Sequence, residues 1–171
     1  LCGGTPLVVA FDDQPIAFAH HAGAFAFRPG DPVATDWPTA TTPWLAIDLD
    51  GDGRIASGAE LFGSNTVLPD GSLARHGFSA LAALDANRDG RLDRADPKFA
   101  SLLLWADRDG DRTGSPDELS SAARVVESIS LDYRTDARCD ARLNCERERA
   151  TIRWRDGSGA ASNAGSMVWK T

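Results

Sequence analysis

The chain has 171 residues, 42% of them hydrophobic, and a formal net charge of −7. This length suits a single domain with its own packed core, and the acidity argues against a nucleic-acid backbone as partner. No apolar run approaches the ~20 residues that cross a bilayer as a helix, so we expect no membrane span. Because the first residue is Leu1, we expect a fragment or a mature form whose targeting peptide is missing.

The N-terminal part is predicted to be rich in short β-strands. Apolar residues dominate the segments 6–11, 16–20 and 24–27, and a polar turn signal separates the first two. Four prolines between residues 29 and 43 indicate an irregular connector. We expect the tryptophans in and just after this connector to pin it to the core.

The middle of the chain is predicted to contain helices. Apolar spacing favours one helix over residues 77–84 and another over 97–106, with a proline at the first helical position of the second. The run Ser115-Pro116-Asp117-Glu118 is typical of a helix start and predicts a third helix to about residue 124. These helices flank acidic loops, which is the arrangement of an EF-hand.

The C-terminal part is predicted to be a small antiparallel sheet. Apolar and polar residues alternate over 127–133 and 147–155, as in half-buried strands. A hairpin turn is predicted at 156–159 and a return strand at 166–169.

The predicted fold class is therefore α+β, in a single domain over residues 1–171. Its β-rich part and connector would occupy 1–47, the EF-hand-like helix-loop-helix core 48–125, and the sheet tail 126–171.

Two of the three cysteines, Cys139 and Cys145, bracket a short loop. Their spacing is consistent with a local disulfide, which forms in an oxidising compartment. The alternative is a pair of reduced thiols in a surface hairpin. Cys2 is left over, either free or paired outside this chain.

Three stretches of the chain place acidic residues at alternate positions around glycine, at 48–60, 85–96 and 107–118. We name them loop one, loop two and loop three. Oxygen side chains at positions 1, 3 and 5, a tight turn at position 6 and a carboxylate at position 12 wrap a Ca²⁺ ion with six or seven oxygens. The alternative is that such runs are ordinary turns, but three of them in one chain favour two to three Ca²⁺ sites.

Loop two fits this twelve-residue pattern position by position. Its predicted ligands are Asp85, Asn87, Asp89, the carbonyl of Arg91, Asp93 and Asp96. The aspartate at position 12 is one methylene shorter than the usual glutamate, which would weaken Ca²⁺ binding and narrow the preference over Mg²⁺.

Loop three has the glutamate that loop two lacks. Its predicted ligands are Asp107, Asp109, Asp111, the carbonyl of Thr113, Ser115 and Glu118. Arg112 stands at position 6, where the turn needs a positive φ, and a residue other than glycine there costs about 1 kcal/mol. We expect this site to be filled but strained.

Loop one matches the first positions of the Ca²⁺-binding pattern, but its final glutamate stands at position 13 and not at position 12. Its predicted ligands are Asp48, Asp50, Asp52, the carbonyl of Arg54 and Glu60. Ala59 at position 12 cannot bind a metal, so Glu60 at position 13 is predicted to take that role. The alternative is an incomplete site that stays empty.

The order and spacing of four runs resemble the calcium-binding, self-processing module of RTX-type secreted bacterial proteins. These runs are 48–63, 68–78, 80–85 and 104–105, and the resemblance covers about residues 5–133. It implies a secreted module that folds on Ca²⁺. It also implies an additional acidic loop near the start, but residues 10–15 have changed ligand positions and we expect no ion there.

Some members of that family cleave an Asp-Pro bond when Ca²⁺ binds and then join the new aspartyl end to a lysine by an isopeptide bond. The resemblance places that proline at Pro6, but Thr5 precedes it and has no carboxylate to attack its own peptide carbonyl. The bonds Asp31-Pro32 and Asp96-Pro97 are more typical of a connector and a helix start.

We therefore expect a non-enzymatic, calcium-folded module that is secreted, periplasmic or on the cell surface. The alternatives are a calcium-dependent self-cleaving and ligating module, and a calcium-stabilised adhesion domain that binds an unknown protein partner.

Overall fold

The computed structural model describes residues 6–20 and 23–155, together with the backbone of 162–168. These residues contain twelve β-strands and one α-helix, α1, at Gly77–Ala82. The strands are β1 Leu7–Val9, β2 Phe18–Ala19, β3 Ala24–Arg28, β4 Asp31–Ala34, β5 Trp37–Pro38, β6 Trp44–Ile47, β7 Arg91–Asp93, β8 Leu102–Trp105, β9 Leu119–Ser121, β10 Val126–Cys139, β11 Cys145–Trp154 and β12 Ser162–Val168. Short 3₁₀ turns lie at Gly58–Glu60, Phe99–Ser101 and Ala122–Arg124.

Eight of these strands form one antiparallel sheet in the order β7-β10-β11-β12-β1-β6-β8-β9. The first strand of the chain, β1, therefore lies between the last strand, β12, and β6. Two separate two-stranded sheets pair β2 with β5 and β3 with β4.

The centre of the large sheet is buried on both faces. Along β6, Leu45 and Ile47 pack into one hydrophobic cluster, whereas Trp44 and Ala46 pack into a second one. Successive side chains of a strand point to opposite faces, so an unbroken apolar run is what a doubly covered strand requires.

The prediction of an α+β fold with a helix-loop-helix core is wrong, because two of its three helices are strands. Residues 97–106 hold a 3₁₀ turn followed by β8, and residues 115–124 hold β9 and another 3₁₀ turn. Side chains of the run Leu102–Trp105 pack alternately into the two hydrophobic clusters. A short apolar run fits a buried helix and a buried strand equally well by spacing alone. The helix predicted over 77–84 is present as α1.

The predicted strands are found in both terminal parts, but the tail is not a separate small sheet. Strands β10, β11 and β12 belong to the large sheet with β1 and β6. The alternation predicted in 147–155 is confirmed, since Ala150, Ile152 and Trp154 are all buried. The hairpin turn predicted at 156–159 and Trp169 lie outside the described residues, as does Cys2.

The predicted disulfide between Cys139 and Cys145 is confirmed and joins the ends of β10 and β11, with a Cα–Cα distance of 4.1 Å. Among the helices of the described residues, none is long and apolar enough to cross a membrane.

Candidate metal centres in the acidic loops

The large sheet presents the three acidic loops at strand ends. Loop one directly follows β6, and loop three begins just after the neighbouring strand β8. Loop two runs from the end of α1 through β7, which pairs with β10 at the edge of the same sheet.

All three loops share one backbone conformation around their first aspartate. In each loop its two carboxylate oxygens accept hydrogen bonds from the N–H groups of the fourth and sixth residues. The N···O distances are 2.7 and 3.0 Å at Asp48, 2.7 and 3.0 Å at Asp85, and 2.8 and 3.2 Å at Asp107. The fourth and sixth residues all have positive φ, namely Gly51, Gly53, Arg88, Gly90, Gly110 and Arg112.

The side chains of the third and fifth residues also accept backbone hydrogen bonds, in each case from the N–H group two residues later. Asp50, Asn87 and Asp109 accept from the N–H of the fifth residue at 3.1, 3.1 and 3.0 Å. Asp52, Asp89 and Asp111 accept from the N–H groups of Arg54, Arg91 and Thr113 at 2.8, 3.0 and 2.7 Å. Side-chain acceptors of this kind replace ordinary turn hydrogen bonds, so the short acidic side chains themselves set the loop conformation.

Loop three brings four carboxylates together. Oxygens of Asp107, Asp109, Asp111 and Glu118 all lie within 4.8 Å of one another. Glu118 is 4% exposed and closes the loop, since its oxygens accept from the N–H groups of Arg108 at 2.5 Å and Ser115 at 3.4 Å.

This crowding is visible in the pKa of Asp107. Burial raises that pKa, and the charges of Glu118 and Asp109 raise it further, against the opposing hydrogen bonds from the N–H groups of Gly110 and Arg112. Like charges held close together favour the protonated acid unless a cation compensates them. Ser115, the remaining predicted side-chain ligand, donates its hydroxyl to Asp117 at 2.7 Å.

Loop one brings three carboxylates together, from Asp48, Asp50 and Glu60, again within 4.8 Å. Glu60 is 6% exposed, and its Oε2 accepts from the N–H of Ala56 at 2.9 Å. The side chain at position 13 thus closes loop one where Glu118 at position 12 closes loop three. Asp52 is not a member of this group of three.

The second carboxylate oxygen of Glu60, Oε1, lacks a well-aligned hydrogen-bond donor in the described part of the chain. Oε1 is buried and accepts no well-aligned hydrogen bond from the described residues, although the nearby N–H of Leu49 favours the ionised form. Burial raises the pKa of Glu60, and the charge of Asp50 raises it further. A buried carboxylate oxygen without a partner is costly, and a cation at this point would supply the missing interaction.

Loop two has fewer clustered acidic side chains than loops one and three. Within the described residues it does not bring three acidic side chains together at the distance seen in the other two loops. Asp96 is nevertheless 2% exposed and closes the loop, accepting from Ala86 at 2.8 Å and Asp93 at 3.0 Å. Asp93 in turn accepts from the N–H of Ala95 at 2.8 Å. Asn87 stands at position 3, where loops one and three have an aspartate.

Arg112 has a structural role that its position in the loop did not reveal. Its φ of 64° confirms the predicted left-handed conformation, but its side chain is buried. The guanidinium lies 4.6 Å from the centre of the Trp37 ring and donates from Nη2 to the carbonyl of Thr35 at 2.8 Å. These contacts offset the strain, and they attach loop three to the connector before β5.

The chemistry of the two convergent groups fits Ca²⁺. Every side-chain donor in them is a carboxylate oxygen, which is the ligand that hard divalent cations prefer, and no nitrogen or sulfur takes part. The residues present could therefore hold such an ion in loop one and in loop three.

Comparison with known proteins identifies the family of this chain. The model of the SPM domain family matches residues 7–166, so the match continues through the tail, beyond the region in which the sequence showed a resemblance. The iron-regulated protein FrpA of Neisseria meningitidis serogroup C is 42% identical over 135 residues. That segment is 75% of this chain but 12% of FrpA. Since the family model covers most of its length, the chain belongs to the SPM domain family.

Proposed function

We propose that this chain is a secreted calcium-binding module whose folding is driven by Ca²⁺ at its acidic loops. The observation that carries the proposal is the convergence of carboxylate oxygens from positions 1, 3, 5 and 12 of loop three within 4.8 Å. Loop one supports it with the same closure by Glu60, and loop two contributes a weaker site.

The charge arrangement explains why an ion would stabilise the fold. Two carboxylates about 5 Å apart repel each other by roughly 3 kcal/mol at an effective dielectric constant near 20. Loop three holds four such groups and two of them, Asp107 and Glu118, are buried. An ion that binds the folded loop and not the unfolded chain shifts the folding equilibrium toward the folded state.

A location outside the cytoplasm, where Ca²⁺ is abundant and disulfides form, fits this proposal. The Cys139–Cys145 disulfide is typical of proteins outside the cytoplasm. The similarity to FrpA, a bacterial protein, is consistent with this location. Self-cleavage does not form part of the proposal, because Thr5 stands before Pro6 and lacks the carboxylate that the reaction needs.

Isothermal titration with Ca²⁺, together with circular dichroism in Ca²⁺ and in EDTA, tests the proposal. We expect Glu118→Gln and Glu60→Gln each to weaken binding at its own loop by at least tenfold and at the other loop by less. The matched control is Glu127→Gln, since Glu127 is exposed on β10 and belongs to no loop. Absence of binding heat at millimolar Ca²⁺, with equal melting temperatures in Ca²⁺ and EDTA, would refute the proposal.

A further inference from the structure

The turn that follows β1 lies at the same edge of the sheet as the start of loop three. Strands β1 and β8 both run antiparallel to β6 between them, and Val8 and Trp105 both pair with Trp44. Strands β1, β6 and β8 are neighbours in the sheet, and an acidic turn comes after each of them. In the turn after β1, Asp12 accepts from the N–H of Gln14 at 3.0 Å, as Asp50 does from Asp52 in loop one.

The same turn lacks the carboxylates that would bind a metal. Counted from Val8 and Trp105, which both pair with Trp44, Ala10 stands where loop three has Asp107, and Gln14 stands where it has Asp111. A methyl group cannot accept the hydrogen bonds that shape the other loops, so another interaction must hold this turn.

That interaction comes from two arginines of the β10–β11 hairpin. Arg138 donates from Nη1 to the carbonyl of Asp13 at 2.8 Å, and its Nη2 lies 3.5 Å from the Asp13 carboxylate. Nη1 of Arg149 lies 3.5 Å from the same carboxylate oxygen. The turn is therefore held by the protein's own cations.

Arg149 is the more unusual of the two because its side chain is fully buried. Its Nη1 lies 3.3 Å from Oε2 of Glu146, which is itself 1% exposed. The other oxygen of Glu146 accepts from the N–H of Ile16 at 2.7 Å. A buried guanidinium is very costly without anionic partners. Among the described residues no guanidinium nitrogen of Arg149 makes a hydrogen bond, so the ion pairs with Glu146 and Asp13 compensate its charge.

We propose that Arg149, supported by Arg138, takes the place of a metal ion in the turn at 10–16. The guanidinium and Glu146 fix this turn, and with it β1, to β11 without any need for Ca²⁺. Phe11 strengthens the same contact by stacking on Trp154, with ring centroids 5.0 Å apart. This inference rests on the proposed calcium dependence of the loops: in chelator, the junction between β1 and the hairpin would then lose less protection than the loops do.

Hydrogen exchange at the amide of Ile16 tests this assignment, since that N–H reports directly on Glu146. In the unaltered protein we expect EDTA to accelerate exchange at Gly110 and Arg112 at least tenfold more than it accelerates exchange at Ile16. We expect Arg149→Met to accelerate exchange at Ile16 at least tenfold both in Ca²⁺ and in EDTA. Arg153→Met is the matched control, because Arg153 lies on the same strand with its side chain 70% exposed.

Two results would overturn the assignment: loss of Ile16 protection in EDTA to the same extent as Gly110, or equal behaviour of Arg149→Met and Arg153→Met. If Arg149→Met does not fold, Glu146→Gln keeps an acceptor for Ile16 but removes the charge, and we expect a smaller acceleration there. An unchanged Ile16 in Glu146→Gln would contradict the proposal. If the loops bind no Ca²⁺ at all, EDTA has no effect on Gly110, yet the comparison of the arginine variants still decides the role of Arg149.

Discussion

Ile55 and Gly114 exchange two backbone hydrogen bonds, with N···O distances of 3.0 and 2.7 Å. Both residues are the eighth in their loops, so this bridge joins loop one to loop three across a long stretch of intervening chain. Loop two is excluded from this pair, because its eighth residue, Leu92, lies in β7 opposite Ile129 of β10. An ion that orders one member of the joined pair would also order the backbone of the other, which is a coupling of the two sites.

We predict that Gly114→Ala weakens both joined loops at once. A Cβ at this position would lie 2.9 Å from Cβ of Ile55 and 3.2 Å from atoms of Leu119 and Trp105. Overpacking of this kind typically costs about 1–3 kcal/mol, and here it would push the two loops apart. Chemical unfolding in saturating Ca²⁺ gives the loss of stability, and calorimetric titration gives the affinities.

The control for this prediction is Ala100→Val, which adds carbon at an exposed position of a 3₁₀ turn. We expect it to leave both quantities nearly unchanged. If Gly114→Ala lowered the Ca²⁺ affinity of loop three alone, the bridge to Ile55 would not couple the loops.

A second prediction concerns Gly23 and Arg112. A Cβ on residue 23 would lie 2.5 Å from Nε of Arg112, so Gly23→Ala should displace the buried guanidinium from Trp37. Arg112→Gly relieves the left-handed strain but removes the same contacts, and we expect a net loss of about 1–3 kcal/mol. In the double variant the alanine meets no guanidinium, so the two losses should not add.

A double-mutant cycle by chemical unfolding measures this non-additivity, and we expect a coupling of at least about 1 kcal/mol. Simple addition of the two losses would mean that Gly23 and Arg112 act through different neighbours.

The sequence predicted local features of this protein well where short-range chemistry controls them. The positive φ of Arg112 and the disulfide of Cys139 follow from turn geometry and from cysteine spacing, which are readable over a few residues. The closure of loop one by Glu60 could also be predicted from the sequence, because a carboxylate at position 13 can still reach across the loop.

Features that depend on distant contacts were not accessible. Leu102–Trp105 is a strand because β6 and β9 flank it and two hydrophobic clusters cover it, and none of this is encoded in its own spacing. The bridge between Ile55 and Gly114 depends on the same pairing of β6 with β8. The burial of Arg149 is likewise not encoded in its neighbours along the chain, since only the fold places Asp13 and Glu146 beside it.

Asp36 joins the connector to the tip of the β10–β11 hairpin. Its carboxylate accepts from Arg142 at 2.6 Å and from Asn144 at 2.7 Å, and it lies 3.0 Å from the ring of His20. Burial alone would raise the pKa of Asp36, but the hydrogen bonds from Asn144, His20 and Arg142 outweigh it and lower that pKa from 3.8 to about 2.

From this pKa we predict a pH-dependent contribution of Asp36 to stability. Because the folded-state pKa lies below the unfolded value, the contribution is fully present above about pH 5 and is lost as the pH falls from about 4 to 2. We expect Asp36→Asn to cost on the order of 2 kcal/mol at neutral pH, and the difference from the unaltered protein should shrink across that window.

The free energies of unfolding of the unaltered protein and of Asp36→Asn, measured at a series of pH values, test this. Titration of the other carboxylates affects both proteins equally, so it cancels in the difference between the two free energies. A difference that stayed constant down to pH 2 would show that the charge of Asp36 contributes nothing.

The disulfide gives the last prediction, because it closes the hairpin whose tip holds Asp36. For a loop this short, the entropy of the unfolded chain predicts a contribution of about 2 kcal/mol. We expect the double variant Cys139→Ser with Cys145→Ser to lose that amount and to free the tip, so that exchange accelerates at the N–H groups of residues 140–144. The Ca²⁺ affinity of loop two should stay unchanged, since none of the described hydrogen bonds of the tip reaches that loop. Dithiothreitol provides the internal control: it should destabilise the unaltered protein and leave the double variant as it is. Equal sensitivity of the two proteins to the reductant would place the redox effect at Cys2 and not in the hairpin.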